Sequence, residues 1–218
     1  LPYLTSVDAK NAIQGLKSFH GDLVGLFEKH GMSLESNSGR RNVILSQAQE
    51  EFFARELAKR YKDVVADGKT GMPDIFIGEI GTELECKLTS PLKDGGLNLQ
   101  ADEYSVSDES PKDFLYVVTK DMKEFAVLHF VGLQKSDFIV SNSSRSKGKM
   151  RLSKSRAFGK CNVLLGDVEN RTEKMLSQAK LDLSNVSPKA KKSRERIEKR
   201  IEYWRNSENT YTVHLVEL

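Results

Sequence analysis

Apolar residues follow two spacings along this chain, one helical and one alternating, and the change between them locates the elements. Over residues 6–30, Ala9, Ala12, Ile13, Leu16, Phe19, Leu23, Leu26 and Phe27 recur at three- and four-residue steps, which predicts a helix with Ser6 as its cap and Gly31 as its stop. Three internal glycines leave open one helix or two shorter ones. The polar stretch 32–43 reads as a loop, in which Arg40 and Arg41 either touch phosphate or face solvent. A second helix is predicted over 45–61, with Ala54, Leu57, Ala58 and Tyr61 inward. Projected back by the helical period, that stripe includes Glu50 and puts Phe52 on the far side, suited to packing against the first helix or a dimer partner. A carboxylate on a core-facing stripe needs a reason, either the dipole at the helix start or a site.

The period then drops to two. Residues 62–66 form a short strand around Val64 and Val65, closed by Asp67-Gly68. Residues 82–88 alternate strictly, with Leu84, Cys86 and Leu88 on one face and Glu83, Glu85 and Lys87 on the other. Cys86 therefore points into the core. Residues 113–119 and 125–133 are two strong strands joined by a tight turn at 120–124, the first apolar on both faces and so central. The segment 89–112 is rich in Gly, Ser, Asp and Pro and holds at most one short helix around 97–104. Residues 136–140 continue the sheet and 162–165 add a strand. Asn170 and Glu173 pair as a cap for a helix to about 183. Ile197, Ile201 and Trp204 mark a last helix over 188–206, and 210–218 alternates as a final strand.

Chemistry concentrates in the hairpin. The run Asp74-Ile75-Phe76-Ile77 follows Pro73 and is separated from the next strand by Gly78-Glu79-Ile80-Gly81. Whether the loop is two or four residues long, Asp74 falls opposite Glu85, with Cβ atoms roughly 5 Å apart. Two carboxylates so close repel unless a cation lies between them, and oxygen ligands that must also hold phosphate favour Mg²⁺ over zinc. Glu85 and Lys87 share a face. Other acid-x-lysine triplets, at Asp8, Asp67 and Asp121, lack the preceding Pro-Asp strand.

Pro73-Asp74 followed on the next strand by Glu85-Cys86-Lys87 resembles the PD-(D/E)XK signature of the restriction-endonuclease-like nucleases, over about residues 45–120. The resemblance implies an α/β fold with a restriction-endonuclease-like core, a mixed β-sheet flanked by helices. It implies that Asp74, Glu85 and the carbonyl of Cys86 ligate Mg²⁺ and that Lys87 orients or deprotonates the attacking water. A helix before the sheet often lends the family a glutamate, here Glu50 or, second, Glu51. The expected organisation is an N-terminal helical region (1–44), a catalytic core (45–142) and a basic DNA-contacting region packed on it (143–218).

Charge adds the partner. The net charge of +3 hides a polarised chain: residues 143–160 carry Arg145, Lys147, Lys149, Arg151, Lys154, Arg156 and Lys160 with no acid, and 189–205 holds eight bases against three acids. That is the footprint of a phosphate-backbone binder, the first segment ordering on DNA as an arm or lying as a solvated loop. The 218 residues include two cysteines and no membrane-length apolar run, which predicts a reducing cytosol, no disulfide framework and no membrane. The four histidines are scattered, against a nucleophile triad or a His-metal nuclease. The expectation is a cytoplasmic, Mg²⁺-dependent type II restriction endonuclease acting on double-stranded DNA as a homodimer and leaving 5′-phosphate and 3′-hydroxyl ends. The alternatives are a nicking, repair or junction-resolving nuclease, or a DNA-binding protein that lost the chemistry.

Overall fold

A computed structural model describes residues 2–68, 72–92, 96–106, 110–140, 148–207 and 210–218. The chain opens with helices α1 (Ser6–Lys29) and α2 (Ser38–Ala58). Strands β1 (Val64–Val65), β2 (Ile75–Ile77), β3 (Thr82–Thr89), β4 (Gln100–Asp102), β5 (Lys112–Lys120), β6 (Glu124–Leu133), β7 (Phe138–Val140) and β8 (Lys149–Leu152) follow. Then come α3 (Lys154–Ala157), β9 (Cys161–Leu165), β10 (Asp167–Asn170), α4 (Arg171–Asn185), α5 (Lys191–Asn206), β11 (Tyr211–His214) and β12 (Val216–Glu217).

The glycines of α1 do not divide it. Thr5, rather than Ser6, caps the helix: its hydroxyl accepts the Asp8 N–H at 3.3 Å while the Asp8 carboxylate accepts the Thr5 N–H at 2.7 Å. Gly15 lets α2 come close, since a Cβ there would lie 2.5 Å from the Phe52 ring. Phe52 packs edge-on against Phe19 of α1, as expected of its outward face. Helix α2 starts inside the predicted loop because Asn37 caps it, accepting the Arg40 N–H at 3.0 Å. Arg41 neither meets solvent nor waits for phosphate; it is buried and donates to Glu35 at 2.7 Å. In the core stripe Phe53 is buried where Ala58 was expected, and Ala58 is exposed.

The main sheet runs β1-β2-β3-β5-β6-β12, with β9 pairing β6 beside β12. Among the described residues only β3 and β5 pair in parallel, so the sheet is mixed. One face, through Leu84, Cys86, Leu115 and Val117, packs against α1 and α2. The other, through Phe114, Tyr116, Val118 and Phe130, is covered by a three-stranded sheet ordered β4-β8-β7. The fold is thus α/β, a mixed sheet flanked by helices, with a small second sheet on the face away from α1 and α2.

Three expectations change here. Residues 97–104 form no α-helix: Leu97, Leu99 and Ala101 are buried at a period of two, and the segment becomes β4 followed by a single 3-10 turn over Glu103–Ser105. Residues 136–140 leave the main sheet, because Phe138 is needed over Phe114 and β7 pairs β8 instead. The final strand splits, β11 pairing β10 and β12 pairing β6. The segments 162–165 and 170–183 form β9 and α4 as expected, Asn170 accepting the Glu173 N–H, and α5 starts at Lys191. Among the described residues no helix is long and apolar enough to cross a membrane.

Candidate active site

The hairpin has the register that alternation predicts. Ile75 pairs Leu84, Phe76 pairs Glu83 and Ile77 pairs Thr82, so one step outward Asp74 faces Glu85. A 3-10 turn over Gly78–Ile80 closes it, ending on Gly81 at φ 59°, a left-handed conformation that suits glycine. Asp74 lies just outside β2, and its Oδ2 accepts the Cys86 backbone N–H at 2.7 Å. That bond pins the aspartate to β3. Lys87 Nζ then reaches both carboxylates, 3.3 Å from Asp74 Oδ2 and 3.2 Å from Glu85 Oε2. Cys86 is buried in the helix-facing core, leaving its main chain to the site.

Burial sets the electrostatics. Glu85 sits beside Phe114 of β5 with only 7% of its side chain exposed. Burial pushes its carboxyl above the usual range, Lys87 pulls it back, and Asp74 pushes it up again. For Lys87, burial disfavours the charge, but Asp74 and Glu85 more than offset it and hold the ammonium well above its ordinary value. Glu50 is pushed up to about 7, first by burial and next by Asp74, with Lys87 opposing.

Glu50 joins the site from α2. A cleft of about 580 Å³ is lined by Ser46, Glu50, Asp74, Lys87, Asn98 and Lys149, among others. Glu50 and Asp74 also line a neighbouring cavity of about 310 Å³ with Glu51 and Asp67. Glu51 is 46% exposed and lies 3.8 Å from Arg55, so Glu50 is the helix carboxylate of the cleft.

The basic segment divides. Lys149 and Arg151 are strand residues of β8; Lys149 pairs with Asp102 at the cleft wall and Arg151 is exposed. Lys154 begins α3 and shares a smaller cavity with Arg151 and Asn98. The Arg156 guanidinium is tied to Ser153 Oγ and the Ser136 carbonyl. Arg145 and Lys147 lie outside the described residues. From 149 onward the segment is built into β8 and α3 rather than into a free arm.

The side-chain donors here are of the chemical kind that a hard cation takes. One ammonium faces three carboxylates, and all side-chain donors are oxygens. Among the described residues no three or more acids, histidines or cysteines are grouped so as to hold a metal ion by themselves. Mg²⁺ does not need one, since it keeps several waters and binds through one or two carboxylates plus substrate phosphate.

Sequence reading missed the rest of the cleft. Ser38, Asn42 and Ser46 line it at four-residue steps on α2 leading up to Glu50, a polar stripe visible only once the helix is known to start at Ser38. Asn42 Nδ2 donates to Ser90 Oγ at 3.3 Å, tying that stripe to the end of β3. Asn98 precedes β4 and carries no signal in the chain. No family model and no curated protein sequence matches the chain.

Proposed function

We propose that this protein is a Mg²⁺-dependent endodeoxyribonuclease of the PD-(D/E)XK type, with a restriction-endonuclease-like core. The observation that carries the reading is Lys87 Nζ held within 3.3 Å of both Asp74 and Glu85 at the wall of an open cleft. Asp74 and Glu85 would hold the ion, with the Cys86 carbonyl and Glu50 as further donors. Bound there, Mg²⁺ supplies charge neutralisation at the phosphate and a more acidic water.

The chain's own residues do the remaining work. Asp74 is fixed by the Cys86 N–H, so the ligand pair is preorganised by the backbone. Lys87 is protonated in the resting site and serves as a donor to water or to a phosphate oxygen. It can act as a base only when its two carboxylate partners are neutralised. Lys149 stands at the cleft wall paired with Asp102, where a neighbouring phosphate would compete with that carboxylate for its ammonium. A type II restriction enzyme, dimeric so as to cut both strands to 5′-phosphate and 3′-hydroxyl ends in the cytoplasm, is the reading adopted.

The test is cleavage of long unmethylated DNA by wild type and Lys87→Ala, with Mg²⁺ and with EDTA. Discrete metal-dependent bands, reduced about 10²- to 10⁴-fold in rate by Lys87→Ala, support the reading. Nicked circles alone shift it to a nicking or junction-resolving enzyme, and salt-sensitive binding without cutting removes the catalytic claim.

A further inference from the structure

The α4–α5 hairpin stands apart from both large sheets. Helix α5 packs on α4, and α4 otherwise chiefly touches β10 and β11 at the root of the hairpin. There the Arg171 N–H donates to the Thr210 carbonyl at 2.8 Å, and the Thr210 N–H to Thr172 Oγ1 at 2.9 Å.

Helix α5 has two opposed faces. Arg194, Ile197, Ile201 and Trp204 form its covered stripe. Diametrically opposite, at steps of four, three and four, lie Lys192, Arg196, Lys199 and Tyr203, all exposed. Tyr203 is 64% exposed, its ring edge-on to Trp204. Lys199 pairs with Glu195 along the helix, while Lys192 and Arg196 have no ion pair among the described residues. The stripe extends roughly 16 Å, several phosphates along a nucleic-acid strand.

The root of the hairpin connects to the cleft by a traceable route. Thr210, at the hairpin root, lines a cavity of about 230 Å³ with Asn98, Arg151 and Lys154. Asn98 in turn lines the candidate cleft with Lys149. Basic side chains, Lys149 paired with Asp102 and beyond it Arg151 and Lys154, thus lie between the carboxylate site and the root of the hairpin. A lipid surface suits the face poorly, because an interfacial helix needs a free apolar stripe and that of α5 is spent inside the hairpin.

We propose that the outer face of α5 is a second contact with the phosphate backbone of duplex DNA, carried by Lys192, Arg196, Lys199 and Tyr203. The identity of the ligand rests on the nuclease reading above. The contact is electrostatic and indifferent to base sequence, so it holds DNA near the cleft without selecting the cutting site.

The test is binding of a long fluorescent duplex, in EDTA, across a salt series. In the triple variant Lys192→Gln, Arg196→Gln, Lys199→Gln, the log–log salt slope should fall by about 2 to 3 and affinity at low salt by about tenfold or more. Tyr203→Ala should weaken binding and leave the slope unchanged. Circular dichroism and thermal unfolding establish that both variants fold. A triple variant with the wild-type slope overturns the proposal, as does a wild type that ignores duplex and binds anionic vesicles. Slope loss without any Mg²⁺-dependent cutting keeps this surface and removes the nuclease; cutting with an unchanged slope does the reverse.

Discussion

Glu50 ties the stability of the protein to the state of its site. Its carboxyl holds a proton up to about 7 in the folded chain, against an ordinary value of 4.5. A carboxylate raised on folding gives its full contribution below the ordinary value and loses it as pH climbs through the folded one. Metal-free protein should therefore weaken between those limits, and Glu50→Gln should remove that part of the loss. Urea unfolding in EDTA should find the variant more stable than wild type above pH 7, by about 1 to 3 kcal/mol, and no more stable near pH 4. Added Mg²⁺ should stabilise wild type more than the variant. A variant weaker than wild type at both pH values would mean that the carboxylate is a structural partner. At this scale the site was legible only where strand alternation applied. Asp74, Glu85 and Lys87 follow from a period of two and one closing turn. Glu50 could be placed on a stripe but not told from a dipole partner, and Asn98 enters through a fold-back of the chain that no local spacing encodes.

Two glycines with opposite surroundings separate backbone need from incidental use. Gly166 joins β9 to β10 at φ 79°, and a Cβ there would meet the His214 carbonyl at 2.6 Å and the Ala126 Cβ at 2.9 Å. Gly25, in α1, has nothing within 4 Å. Gly166→Ala should cost about 2 to 4 kcal/mol from left-handed strain plus overpacking, whereas Gly25→Ala should add about 0.5 to 1 kcal/mol through helix propensity. Paired chemical denaturation curves decide it, and equal effects would contradict the geometry at Gly166. The elements themselves were legible where one face is buried over many residues, as in β3, β5, β6 and α1. They were misread where pairing partners are distant. Leu97, Leu99 and Ala101 alternate plainly, yet glycine and serine around them suggested loop and helix, and only β8 makes the segment a strand. The tail split for the same reason, since β11 and β12 answer to different sheets.

At the scale of the molecule, each chain carries one carboxylate–lysine cleft, and cutting both strands at one place calls for two. Under the proposed function the active species is a dimer of the 24.5 kDa chain. Sedimentation on DNA should give twice that protein mass, and specific activity should fall on dilution; a monomer making double-strand breaks at constant specific activity would refute it. The polarised charge was legible from the start. Its division into a cleft wall on β8 and a separate hairpin was not, because sequence shows where cations lie along the chain but not which of them acids already hold.

The parallel pairing of β3 with β5 obliges the chain to cross over between them, and β4, a strand within that crossover, has β8 as its partner. The order of synthesis then matters. The hairpin that presents Asp74, Glu85 and Lys87 closes from neighbouring residues soon after it emerges, while the crossover bearing Asn98 waits for residues 149–152 to be made. A nascent chain thus closes its carboxylate–lysine hairpin before it owns the β4–β8 wall of the cleft beside it.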